Sequence, residues 1–246
     1  MRRFPQVFAK FVATITFSFG GLTLLFLPTA AQNKFNKEAN RSSEAAVTLE
    51  SVTALTEAAA LKEFIGQAAA IGVFPAISQQ TALFLEQATG DGVLSVRTSN
   101  GWTTPAFYSL GSVRYRGIFI KGGKFAVIVL FIRKDLLLTC GKENVRLEAG
   151  KNTRPGVVGT LSDTQQAEFK DAVIIAYSFS KGRLLPLPPQ WKDWDEFTLN
   201  DNDKLNKRIY GIKTCELIAG KKPVKIWEGI AAFSDSLTRN FGVPSK

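Results

Sequence analysis

Eight consecutive residues, Phe125 to Ile132, carry no polar side chain. A helix that crosses a bilayer needs about 20 apolar residues, so a run this short does not span a membrane. It suits a β-strand buried on both faces.

The neighbouring pattern is also β. Thr81–Glu86 and Val93–Arg97 flank Gly90-Asp91-Gly92, which predicts a hairpin. Asn100-Gly101 is a second turn signal, leading into Trp102–Tyr108. Arg114–Lys121 and Phe125–Arg133 flank Gly122-Gly123, a third predicted hairpin. Asp135–Thr139 is read as one helical turn closed by Gly141. Val145–Leu147 and Val173–Phe179 are further strands, and Pro186, Pro188 and Pro189 interrupt regular structure near Trp191 and Trp194.

Helical patterns frame these strands. Between Glu44 and Gly72 alanine is dense, and Leu55, Ala58, Leu61, Ile65 and Ala68 share one helical face. Pro75 stops any helix there. Asp201 is placed to cap a short helix carrying Leu205 and Ile209, with Gly211 closing it. Beyond Pro223, Ile226, Ile230, Phe233, Leu237 and Phe241 fall on one face of an amphipathic helix. Strands framed by helices predict an α+β fold: one domain, with a largely antiparallel or barrel-like sheet flanked by N- and C-terminal helices.

The first residues read as an address. Arg2, Arg3 and Lys10 precede an uncharged, mostly apolar stretch from Phe11 to Leu27, and Thr29 and Ala31 are small residues at the −3 and −1 places. The expectation is a signal peptide over 1–31 cleaved after Ala31, giving a secreted or periplasmic protein; an uncleaved N-terminal membrane anchor is the alternative. A polar linker over 32–43, one domain over 44–240 and a tail over 241–246 complete the expected organisation. The leader holds three basic residues and no acidic ones, leaving 28 Lys and Arg against 21 Asp and Glu, a net of +7.

Composition narrows the chemistry. Histidine is absent, which removes the commonest general base and metal ligand. Cys140 and Cys215 are the only cysteines, too few for a structural zinc site of the usual kinds. A Ser-His-Asp or Cys-His arrangement cannot be built. Lysine- or carboxylate-based chemistry stays open as an alternative; the expectation is a binding protein and not an enzyme, with no cofactor and no metal. In an oxidising compartment Cys140 and Cys215 are candidates for a disulfide.

One stretch carries more. Gly101-Trp102-Thr103-Thr104-Pro105-Ala106-Phe107-Tyr108-Ser109-Leu110-Gly111 resembles the hallmark segment of the SYLF domain family, through Gly101, Trp102, Pro105, Phe107 and Gly111. Gly92–Arg97 looks like the strand that precedes it, and Phe131–Leu137 resembles the family's strand-to-helix step. Pro155-Gly156-Val157-Val158-Gly159 is similar to its Gly-Pro-Val-Gly loop, and Tyr177-Ser178-Phe179-Ser180-Lys181-Gly182 to its Tyr-Ser turn. Tyr210-Gly211, Glu216-Leu217-Ile218 and Pro223 match the closing segment. The resemblance implies a lipid-binding module without catalytic activity, engaging anionic phospholipid or a membrane surface. A cell-envelope protein partner, in a scaffold role, is the alternative. Nucleic acid is not an expected partner, because export leaves little of it to meet.

The candidate lipid-binding residues are Arg114, Arg116, Lys121 and Lys124 around the third hairpin, with Trp191 and Trp194. The basic four suit phosphate headgroups, each near-surface charge contributing about 1 kcal/mol, or else form an ordinary solvated β-face. The two tryptophans suit a bilayer interface, or cap the core from a loop. Trp227, Phe233 and Phe241 on the last helix either insert into a membrane or pack on their own domain. Asp193, Asp195 and Glu196 read as a solvated loop.

Overall fold

In the computed structural model, which describes residues 34–242 apart from 83–84, 116–122, 134, 136, 138–143, 149, 187–195 and 221, the apolar run forms strand β5 (Lys124–Phe131). Its residues 126–131 are buried. Antiparallel neighbours flank it: β1 (Ala70–Ala82) on one side and β8 (Ile174–Ser180) on the other. The remaining strands are β2 (Leu85–Thr98), β3 (Gly101–Trp102), β4 (Ala106–Tyr115), β6 (Asn144–Glu148), β7 (Thr153–Pro155), β9 (Arg183–Pro186) and β10 (Glu196–Asp201). Among the described residues they make one sheet in the order β6-β10-β4-β2-β1-β5-β8-β7, with β3 added to β2 and β9 to β8. Every pairing is antiparallel except β7 with β8. The sheet is nearly closed and flanked by helices in a single α+β domain.

Strand β1 carries a bulge. Between Val73 and Ser78 it uses one residue more than β2, and between Phe74 and Ile77 one more than β5. Pro75 sits in this irregular stretch, where a missing N–H disturbs no regular ladder. Opposite the bulge β2 has Gly90 and Gly92. A Cβ on Gly90 would lie 2.5 Å from the Ala76 carbonyl oxygen, and one on Gly92 would run into the Val73 carbonyl and the Phe74 ring. Gly90-Asp91-Gly92 is therefore not a turn. β2 runs straight through it, and the hairpin closes between Ala82 and Leu85.

Helix α1 (Asn36–Thr53) buries Glu38, Arg41, Ser42, Ala45, Ala46, Leu49 and Val52, spaced by three and four residues along one face. It packs against β1, β2 and the last helix, α6 (Ala232–Phe241). Ser42 joins the two helices: its hydroxyl donates to the Ile230 carbonyl at 2.6 Å and accepts from the Phe233 N–H at 3.1 Å. Residues 36–43 belong to this helix, so the expected linker is corrected: the buried face extends back past Glu44 through polar side chains that carry no hydropathy signal.

The alanine-rich stretch makes two helices instead of one. After α1, a short 3-10 turn (Thr56–Ala58) precedes α2 (Ala59–Gln67). Gly159 fixes the break, donating to the Glu57 carbonyl at 2.7 Å and accepting from the Ala60 N–H at 2.8 Å. The helix ends at Gln67, well before Pro75, because β1 begins at Ala70. Farther on, α3 (Asp163–Phe169) is started by a capping box between Ser162 and Gln165. Helix α4 spans Asp203–Tyr210, and α5 spans Thr214–Ile218. Asp201 is the last residue of β10 and not a cap, while Gly211 closes α4 in the left-handed conformation at φ 77°.

The third predicted hairpin does not form. β4 pairs with β2 and β10, whereas β5 pairs with β1 and β8. The β1–β2 hairpin lies between them. Both partners of β5 are thus taken.

Candidate functional site

Lys37, Asn40, Arg41 and Glu44 stand at i, i+3, i+4 and i+7 on the first turns of α1. Across from them lie Pro75 and Ala76 of the β1 bulge and Thr89, Gly90 and Asp91 of β2. Between them lies a cavity of about 530 Å³, open to solvent. That volume is within the range of small-ligand sites.

Arg41 governs the cavity. Its side chain is 10% exposed, and its Nη2 donates to Asp91 Oδ2 at 2.5 Å. The guanidinium carbon lies 5.8 Å from the Phe107 ring centroid, within cation–π range. Its Nη1 is buried and has no hydrogen-bond partner among the described residues. Half of a planar donor fork is therefore unused inside the protein, where an unpaired buried donor costs about 1–3 kcal/mol. Asp91 is looser, with 46% of its side chain exposed. Lys37, Asn40, Glu44 and Thr89 are exposed, and none of their side chains makes a hydrogen bond or ion pair among the described residues.

The residues of the SYLF-like segment have architectural places. Gly101 takes φ 116° in the tight turn between β2 and β3. Trp102 is half-buried under the Arg97 guanidinium, 4.4 Å from the ring centroid. Arg97 also donates to the Ala68 and Ile65 carbonyls at 3.0 and 2.8 Å, tying the end of α2 to the sheet. The Pro105 carbonyl accepts from the Tyr210 hydroxyl at 2.6 Å. Phe107 is fully buried, and Asn206 clamps its backbone, accepting from its N–H at 2.9 Å and donating to its carbonyl at 3.0 Å. Gly111 lies opposite Thr89 of β2 and Thr198 of β10.

The other segments of the resemblance are also structural. The Tyr177 ring covers Gly156, where any Cβ would overlap it, and its hydroxyl donates to the Val157 carbonyl at 3.1 Å. Lys181-Gly182 is a two-residue hairpin turn between β8 and β9 with both φ angles positive. Burial pushes the phenols of Tyr108, Tyr177 and Tyr210 well above their ordinary range, so they act as neutral hydrogen-bonding groups.

Of the basic residues expected to grip headgroups, Arg114 lies on β4 opposite Glu86, and Lys124 is exposed at the start of β5. Strands β2 and β1 separate the two, so they do not share a hairpin. Arg116, Lys121, Trp191 and Trp194 lie outside the described residues. Trp227 is half-buried: its Nε1 donates to the Ile209 carbonyl at 2.9 Å, and its ring meets Phe35 edge-on at 5.1 Å. Phe233 and Leu237 are buried and Phe241 is half-buried, so α6 packs on its own domain; Ile226 is 57% exposed and precedes the helix. Cys215, on α5, is disulfide-bonded; the chain's other cysteine, Cys140, lies outside the described residues. Among the described residues no cluster of His, Cys, Asp and Glu is placed to hold a metal ion, and no helix is long and apolar enough to cross a membrane.

The Arg41 cavity is absent from the sequence reading. The signal that finds it is the buried stripe of α1: stepping back from Leu49 and Ala45 by threes and fours lands on Ser42, Arg41 and Glu38, which places a guanidinium on the core-facing side. No known protein family, curated protein or solved structure matches this chain.

Proposed function

We propose that this chain is an exported, non-catalytic module that binds phospholipid at an anionic membrane surface. One observation carries the reading: a guanidinium nine-tenths buried and half-partnered, lining an open cavity of headgroup size. Arginine favours a planar or tetrahedral oxyanion, because its guanidinium donates charge-assisted hydrogen bonds to such groups. The resemblance to the SYLF family supplies the lipid, and the net charge of +7 beyond the leader supplies attraction to an anionic surface.

Co-sedimentation with vesicles tests this. The protein should bind phosphatidylglycerol vesicles more tightly than phosphatidylcholine vesicles. Binding should weaken with added salt, since the Debye length falls from about 10 Å at 0.1 M to about 3 Å at 1 M. If the folded protein pellets with no anionic vesicle at low salt, the lipid reading fails and the envelope scaffold takes its place.

A further inference from the structure

We infer that the Arg41 cavity takes a zwitterion: a ligand with a phosphate or carboxylate at one end and an ammonium a few ångströms away. This rests on the reading above that Arg41 receives an oxyanion, and it names the class of that ligand.

Charge balance is the argument. Four charged side chains line the cavity, Lys37 and Arg41 against Glu44 and Asp91, two of each sign. A simple anion that reaches Arg41 meets two carboxylates, and a simple cation meets a guanidinium and an ammonium. Only a ligand carrying both signs finds a partner for each end. The positions agree with this. Arg41 is held by burial, while Asp91 is nearly half exposed and Glu44 is exposed without a partner.

Binding is then an exchange of ion pairs. The ligand's oxyanion takes the Nη2 of Arg41, replacing the contact from Asp91. The freed Asp91 turns outward, and together with Glu44 it receives the ligand's ammonium. Lys37, at the mouth, faces the remaining oxyanion oxygens. Glu44 and Lys37, which have no partner among the described residues before binding, each then face an opposite charge. The same chemistry is found in an ethanolamine or serine phospholipid headgroup and in a free amino acid or phosphoethanolamine.

Three soluble probes separate the possibilities in titration of the purified protein, followed by calorimetry and by amide chemical shifts. Phosphoethanolamine carries both charges, glycerol 3-phosphate only the anion, and ethanolamine only the cation. Phosphoethanolamine should bind about ten-fold tighter than either of the others. Glu44→Gln alters an exposed side chain and leaves folding intact. It should remove most of that preference while leaving glycerol 3-phosphate affinity unchanged or higher. Arg41→Lys keeps the charge but loses the fork, and should weaken both phosphate probes. Vesicles of phosphatidylglycerol with and without phosphatidylethanolamine then identify the source. A gain from phosphatidylethanolamine assigns a lipid headgroup, and no gain beside tight phosphoethanolamine binding assigns a free solute. Equal or tighter binding of glycerol 3-phosphate overturns the zwitterion while leaving the lipid reading in place. Pelleting on vesicles with no response to any soluble probe overturns the cavity as the site.

Discussion

Two buried polar side chains meet at Phe107, and they are treated in opposite ways. Asn206 reaches the backbone of Phe107 and uses its whole amide: the oxygen accepts once, and the nitrogen donates to the Phe107 carbonyl and to Thr214 Oγ1 at 2.9 Å. Arg41 reaches the ring of the same residue, yet leaves one terminal nitrogen unpartnered and hands the other to a carboxylate half in water. A saturated amide can only hold its neighbours in place. An unsaturated guanidinium beside an open cavity can exchange partners. The contrast separates scaffold from site, and it places the SYLF-like segment on the scaffold side.

The largest effect should come from breaking the saturated end. Asn206→Ala removes three hydrogen bonds and strands the Phe107 N–H in the core, while the Phe107 carbonyl keeps the Asn202 N–H and the Thr214 hydroxyl keeps Asp203. At about 1–3 kcal/mol for the buried donor left unpaired and about 1 kcal/mol for each of the other two bonds, we expect a loss of about 3 kcal/mol in chemical denaturation. A cost no larger than that of Arg41→Met would erase the distinction between the two sites.

Gly156→Ala should come next. Its Cβ would enter the space of the Tyr177 ring, which is buried and held by its own hydrogen bond to Val157. Overpacking of this kind costs about 1–3 kcal/mol. A matching Tyr177→Phe variant removes only the hydroxyl, and should lose about 1 kcal/mol in the same assay.

Arg41→Met should cost less than either, within about 1 kcal/mol of the wild type, because a half-paired buried charge contributes little net stability and methionine fills much the same volume. The partner it abandons, Asp91, can rehydrate. Ligand or vesicle binding should nevertheless fall sharply. Stability retained with binding lost is the signature of a site, and the opposite result would mark Arg41 as scaffold.

The sequence makes part of this contrast readable. A short uninterrupted apolar run suits a strand buried on both faces, and Phe125–Phe131 lies in β5. Asn100-Gly101 is a turn signal that needed no tertiary knowledge, and the turn is present. Gly90-Asp91-Gly92 misleads because glycine answers two demands alike: a tight turn, or the close approach of a neighbouring backbone. Only the bulge in β1 tells which applies. The chain order likewise conceals that the β1–β2 hairpin separates β4 from β5. Arg41 is the hardest to see. Nothing in its neighbours Asn40 and Ser42 suggests burial, and its partner Asp91 is fifty residues away inside what looks like a loop.

The smallest effect lies where the saturated network reaches the surface. Asn206 donates to Thr214 Oγ1, and the Thr214 hydroxyl and N–H point to Asp203 Oδ1 at 3.4 and 2.9 Å. Asp203 also pairs with Lys207 at 2.6 Å. Burial by itself would raise the Asp203 pKa, but the Lys207 ammonium and the Thr214 donors together hold it below its ordinary value. A depressed carboxylate pKa stabilises the fold above the unfolded value, near 4, and that contribution disappears as pH falls through the folded value. Asp203→Asn should therefore lower the neutral plateau of a stability–pH curve slightly and flatten its acid limb, the two curves meeting once pH is below the folded value. A third of the side chain is exposed, so solvent screening keeps the effect under about 1 kcal/mol. An acid limb identical to the wild type would show that the network ends at Thr214, with Asp203 belonging to solvent.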